Sequence, residues 1–356
     1  MLRIVKKGET TRLQTVVITA IAIILAILAT SLFIVALGFN PLEVYASMLK
    51  GAFGSNSKIR RTIIIAIPLL ITSLGIAVAF KMKFWNIGGE GQILMGAFGA
   101  AFIALNFSFL PKPIVLILMA IFGMLAGGLW ALIPAVLKSK WGTNETIVTL
   151  MMNYIALKWV TYLQYDKWKD PKSLGFPKIA NFDSNAVLPR IFNIHIGWII
   201  ALILVVVMYI FMNYTKKGYE ISVLGESKKT AQYAGINVSK TMITAILLSG
   251  GLCGLVGMIQ ASAVSSTLSV TVSGGVGFTA IIVTWLGSLS APIILVVSIL
   301  FAALLQGGAY IQTAFGIPEA AALVLQGMIL FFVLGSDFFI KYKVVFEKEN
   351  KVKEAN

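Results

Sequence analysis

Apolar residues in this chain gather into runs at about 16–37, 62–80, 93–110, 113–137, 146–165, 196–214, 242–263, 276–290, 292–308 and 320–340, divided by short polar stretches. Runs near this length match a hydrocarbon core of about 30 Å crossed by a helix. The pattern predicts an all-α polytopic membrane protein with about ten transmembrane helices in one transmembrane domain over residues 1–356. Two stretches differ from the rest. Residues 41–53 place Leu42, Tyr45, Met48, Leu49 and Ala52 at helical spacing, which reads as a short helix at the membrane interface. Residues 166–193 are polar, with Pro171, Gly175, Pro177 and Pro189, and read as the largest external loop.

Composition narrows the class. With 58% hydrophobic and 12% charged residues among 356, and a mean hydropathy of +0.90, a soluble fold would be covered in apolar surface. The +15 formal charge lies in short loops and not on a folded basic face, so no nucleic-acid partner is expected. Arg3, Lys6, Lys7 and Arg12 precede the first run, which is too long for a signal segment and lacks a small-residue cleavage site. It reads as a retained first helix. Placing the N-terminus inside collects those four with Lys81, Lys83, Lys138, Lys140, Lys216, Lys217, Lys228, Lys229 and Lys240 and with Lys341, Lys343, Lys348, Lys351 and Lys353. Both termini are then cytoplasmic, with an inner loop at about 215–241 and a tail at about 341–356.

Inside the inner loop, Ser227 can cap a short helix and Gly235 can end it in the left-handed conformation. Ala231, Tyr233 and Ala234 give that helix a small, packable surface. A helix this short does not hold alone in water, so it packs on the protein's own loops or is gripped by a partner.

Asn86-Ile-Gly-Gly-Glu-Gly-Gln92 sets a carboxylate, two amides and three glycines between two apolar runs. Such a stretch breaks the helix, and irregular backbone at membrane depth survives only inside protein or beside a water-filled cavity. Glu90 therefore faces a pathway or another subunit. Asn144 and Glu145 open the fifth run, with Asn153 and Tyr154 further along. Ionisable residues in a membrane default to functional roles, although Glu145 reads equally well as a carboxylate favoured by a helix N-terminus. Asn86, Glu90, Gln92, Asn144, Glu145 and Asn153 are the candidate pathway or gate residues. Gly123, Gly127 and Gly128, and Gly250, Gly251, Gly254 and Gly257, read as close helix packing.

Enzymatic chemistry finds little support. His195 is the single histidine and Cys253 the single cysteine, so neither a His-based nor a multi-cysteine metal site, nor a Ser/His pair within the membrane, is expected. No phosphate-binding G-x-x-x-x-G-K-[ST] loop occurs, so if ATP supplies the energy another chain must bind it.

Four stretches in order resemble the permease subunits of bacterial ATP-binding cassette importers of the branched-chain amino acid and ribose permease superfamily, in its nucleoside, basic membrane lipoprotein-linked branch. They are Phe84-Trp-Asn-Ile-Gly-Gly-Glu-Gly-Gln92, Thr143-Asn-Glu-Thr-Ile-Val-Thr-Leu-Met-Met-Asn-Tyr154, Ala231-Gln-Tyr-Ala-Gly-Ile-Asn237, and Gly275-Val-Gly-Phe-Thr-Ala-Ile-Ile-Val283 followed by Leu286-Gly287. The resemblance implies a non-enzymatic subunit of a prokaryotic cell membrane that moves nucleosides by alternating access. It implies a cytoplasmic ATPase carrying the ATP and Mg, with no cofactor in this chain, a second permease forming a heterodimer, and an extracellular substrate-binding lipoprotein. It also makes the inner loop the coupling segment, mapping ATPase docking onto Gly225, Glu226, Ala231, Tyr233, Ala234 and Gly235. Glu226-Ser-Lys-Lys-Thr230 departs from that pattern, where an asparagine and a pair of small residues are usual. A sugar or other small polar solute is the alternative cargo. A stand-alone ion-coupled transporter using Glu90 or Glu145 is the alternative class, against which the coupling-type loop argues.

Overall fold

The computed structural model describes residues 2–6, 12–171, 173 and 175–346. Of the cations used for orientation, Lys7, Lys348, Lys351 and Lys353 lie outside the described residues, as does the tail beyond residue 346. In chain order the elements are β1 (Leu2–Lys6), α1 (Arg12–Ala36), α2 (Pro41–Phe53), α3 (Asn56–Lys81), α4 (Gly89–Asn106), α5 (Lys112–Trp141) and α6 (Glu145–Tyr162). There follow β2 (Arg190–Ile191), β3 (Ile194–His195), α7 (Gly197–Tyr214), α8 (Lys216–Glu226), α9 (Lys228–Tyr233), α10 (Val238–Ile259), α11 (Val276–Leu286), α12 (Ala291–Phe315), α13 (Glu319–Lys341) and β4 (Tyr342–Phe346).

Six helices among the described residues are long and apolar enough to cross a membrane: α3, α5, α7, α10 with its extension to Ser265, α12 and α13. They become seven if α1 and α2, bent by 110°, make one broken span. The sequence predicts about ten. The difference falls on three runs. Helix α11 has only 11 residues, while α4 carries Glu90, Gln92 and several glycines and α6 carries Glu145, Asn153 and Lys158, which dilute their hydropathy.

The chain folds into two compact units, residues 1–55 with 304–356, and residues 56–303. In the first, α1 packs with α2 and α13 around Ile34, Val44, Met48, Ile311, Ile317 and Leu325. Asn40 caps α2 by accepting from the Leu42 amide at 3.0 Å, ahead of Pro41. The Tyr45 hydroxyl donates back to the Ile27 carbonyl at 2.9 Å, fastening α2 to α1.

The second unit is organised by α10, which packs against α3, α4 and α5. Its glycines make this possible, because a side chain would hold the helix axes apart. A Cβ on Gly127 would come to 2.5 Å from the Gly250 carbonyl, and one on Gly123 to 3.2 Å from that of Gly254. The two glycine sets read from the sequence as packing surfaces face each other. The segment 166–193 lies across the end of α10. Ser262 donates to the Ala186 carbonyl at 2.6 Å and accepts from the Leu188 amide at 3.1 Å, while Thr267 donates to the Ile179 carbonyl at 3.0 Å. Ile179, Phe182, Ala186 and Leu188 are buried there, so this loop is part of the packed unit.

Candidate functional site

Residues 82–88 interrupt the chain between α3 and α4, and Lys83 takes a left-handed conformation with φ 59°. A break of this kind exposes backbone donors and acceptors that must be satisfied locally. Asn86 does much of this. It is fully buried; its Nδ2 donates to Gln92 Oε1 and to Ser249 Oγ, both at 3.2 Å. Its Oδ1 accepts from Gln92 Nε2 at 2.9 Å and from the Gly88 amide at 3.1 Å. The two amides form a reciprocal pair spanning the break, tied to α10 through Ser249.

Helix α6 supplies the remaining partners. Asn153 donates to the Ile87 carbonyl at 3.0 Å and accepts from the Gly91 amide at 2.9 Å. Thr149 accepts from the Ile87 amide at 3.2 Å and donates to the Glu145 carbonyl at 2.8 Å. Gly91 is needed here, since its Cβ would sit 2.9 Å from the Asn153 carboxamide oxygen.

Glu90 points elsewhere. Its Oε1 accepts from the Gly275 amide at 2.9 Å and its Oε2 from the Gly277 amide at 2.8 Å. These donors open α11, so the carboxylate satisfies orphan N–H groups and complements the positive end of a second short helix. Gly275 adopts φ +77°, and a side chain on Gly277 would overlap the Glu90 backbone. Helix α11 is held further along to α3. Thr284 donates to the Ser73 carbonyl and Ser73 to the Ala280 carbonyl, each at 3.1 Å. Beside them Phe80, Trp85 and Trp285 cluster with ring centroids 5.3 to 5.7 Å apart, Trp85 stacking on Trp285.

Asn86, Gln92 and Asn153 thus meet at one break, and Glu90 joins that break to α11. The side chains of Asn144 and Glu145 do not enter this group. Asn144 caps α6 by accepting from the Thr146 amide at 3.0 Å, and buried Glu145 pairs with Lys138 of α5 at 2.7 Å. Ser249, Thr149 and Ser73 were not legible as partners; Thr149 lies within one of the quoted motifs, whereas Ser249 and Ser73 look like ordinary small residues of apolar runs.

The inner loop holds two helices, of which the sequence predicts only the second. Helix α9 begins at Ser227, whose Oγ accepts from the Thr230 amide at 3.2 Å, and ends before Gly235 at φ +72°. Ala231 is fully buried within the protein, while Tyr233 is 92% exposed. Helix α8 carries Glu220, whose carboxylate accepts from Lys217 Nζ at 2.6 Å and Thr241 Oγ1 at 3.0 Å. The hydrogen bond from Lys217 holds its carboxyl below the usual range, against burial and with help from Thr241.

In this helical membrane protein α4 and the 11-residue α11 are pinned to each other at their N-termini by Glu90. Residues 59–334 match the branched-chain amino acid transport system permease component family, and the chain belongs to it. It is 33% identical over 352 residues to the nucleoside ABC transporter permease protein NupB of Lactococcus lactis subsp. cremoris, covering 96% of each chain. It is 32% identical to the guanosine ABC transporter permease protein NupP of Bacillus subtilis, covering 91% of this chain and 94% of that one. Identity is 31% to the glucose ABC transporter permease protein TsgB13 of Haloferax volcanii, covering 92% and 89%.

Proposed function

We propose that this chain is the membrane subunit of an importer that moves nucleosides across a prokaryotic cell membrane, driven by ATP hydrolysed on a separate cytoplasmic chain. The observation that carries the cargo is near end-to-end similarity to permeases named for nucleosides and for guanosine. In this reading α8, α9 and both termini face the cytoplasm, and α9 meets the ATPase through its exposed Tyr233. A second, different permease completes the pathway, and an external lipoprotein delivers the cargo. The site residues divide by role. Asn86, Gln92 and Asn153 are the frame of the gate, because their hydrogen bonds are spent inside the protein. Glu90 makes α4 and α11 move as one piece. Glu145 and Asn144 steady the start of α6 beside it. Trp85 and Phe278, both more than two-fifths exposed, with Trp285 beneath Trp85, offer flat surface to a nucleobase.

The likeness to a glucose permease supports a sugar as the second reading. Competition decides between them. In proteoliposomes carrying the assembled complex, uptake of labelled uridine or adenosine should fall with unlabelled nucleosides and not with glucose, ribose or leucine. Inhibition by glucose or ribose as strong as by nucleosides would transfer the assignment to a sugar.

A further inference from the structure

Helix α8 grips three elements at once. At its C-terminal end a side chain on Gly225 would overlap the carbonyl oxygen of Lys81, the last residue of α3, so the two backbones are in direct contact. At its N-terminal end a side chain on Gly218 would also overlap the carbonyls of Phe211 and Met212 in α7. Between them Glu220 accepts from Thr241, which is 1% exposed and lies in the first turns of α10. A cavity of about 300 Å³ separates α8 from the turn at 234–237 and has Glu220 and Thr241 in its wall. On that side the Glu220–Thr241 hydrogen bond ties α8 to α10. Helix α9 hangs from α8 through one residue, Ser227, which ends the first and caps the second.

Two of the three elements gripped by α8, α3 and α10, lead to the same place. Lys81 is five residues from Asn86 along the chain, and α10 reaches Asn86 through Ser249, about two turns beyond Thr241. We propose that α8 is the bar that carries displacement of α9 to the Asn86 break, and that Glu220, by holding Thr241, is the positioning residue that makes α10 follow. The proposal rests on the ATP-driven importer reading. A coupling free energy between sites needs a physically contiguous element that both sites bias, and the ring α8, α3, Asn86, Ser249, α10, Thr241, Glu220 is closed by packing, by hydrogen bonds and, from α3 to Asn86, by the chain itself.

Thr241→Val removes the donor at nearly constant volume, and Thr241→Ser keeps it. In proteoliposomes of the full complex, solute moved per ATP hydrolysed should fall about fivefold or more in T241V, with assembly and basal hydrolysis unchanged, and should return toward wild type in T241S. Wild-type coupling in T241V overturns the proposal, and so does equal impairment of the two variants. If T241V does not assemble, E220L, which leaves Thr241 no acceptor on α8, replaces it. An assembled E220L complex should transport less solute per ATP, and full coupling there overturns the proposal. A wild-type complex without ATP-dependent uptake overturns the importer reading and this inference with it, an outcome distinct from normal wild-type transport with insensitive variants.

Discussion

Glu90 sits in the first turn of α4, just past the break, yet both its oxygens are engaged by amides 185 and 187 residues away in sequence. A glutamine there keeps the shape but presents an amide N–H to a backbone N–H, losing one hydrogen bond and leaving a donor unsatisfied. Glu90→Gln should therefore destabilise the junction of α4 and α11 by about 1.5–3 kcal/mol, and Glu90→Leu by more. Thermal unfolding in detergent, set beside uptake normalised to folded complex, should register both losses. Full stability in E90L would remove the clamp. His195 makes a second residue-scale case. It is 2% exposed and both ring nitrogens lack a hydrogen-bond partner among the described residues. Burial, aided by nearby Arg190, pushes its pKa down to about 4 from 6.5. The folded state thus holds a neutral ring that the unfolded chain would protonate below about pH 6.5. Its contribution is complete above that value and is lost as pH falls toward 4, by up to about 3 kcal/mol. Replacing the ring by phenylalanine should flatten the fall in thermal stability between pH 7 and 5, and an undiminished slope would place the titration elsewhere.

At the scale of elements, packing of α10 depends on the absence of side chains. A Cβ on Gly254 would overlap the Gly123 carbonyl and approach the Gly127 backbone to 3.1 Å. Gly254→Ala should cost about 1–3 kcal/mol by forcing α5 and α10 apart, read as a lower unfolding temperature and less monodisperse protein. An unchanged melting profile would show that the helices can yield. Local signals were legible here: Ser227 and Asn144 as caps, Gly235 as a left-handed end, and the two glycine faces. Helix α8 was not legible, because Gly218 and Gly225 look like helix breakers in sequence. Their role is to admit backbone carbonyls from other helices, which local pattern does not encode. Helix α11 was read as part of a span because its residues are uniformly apolar; its 11-residue length emerges only with the turn after Leu286, where Ser288 and Leu289 take positive φ.

For the whole molecule, the proposed importer reading puts the ATPase-facing surface on α9. Ala231 is buried in the protein's own fold and Tyr233 projects from it. Tyr233→Ala should leave the isolated subunit within about 0.5 kcal/mol of its original stability, yet weaken association with the ATPase by about 2 kcal/mol or more if the ring is an interface anchor. Binding of purified ATPase to the reconstituted subunit measures this, and unaltered affinity would move the docking surface off Tyr233. The membrane class, a break in the chain around Asn86, the short helix after Ser227 and the family-bearing motifs follow from the sequence alone, since each depends on hydropathy, capping or backbone freedom within a few residues. Tertiary structure decided what Glu90 faces, which helix holds Asn86 through Ser249, and how α8 joins α3 to α10. Those outcomes depend on partners 160 or more residues distant at Glu90 and Asn86, and on glycines whose value is set by the backbone opposite them.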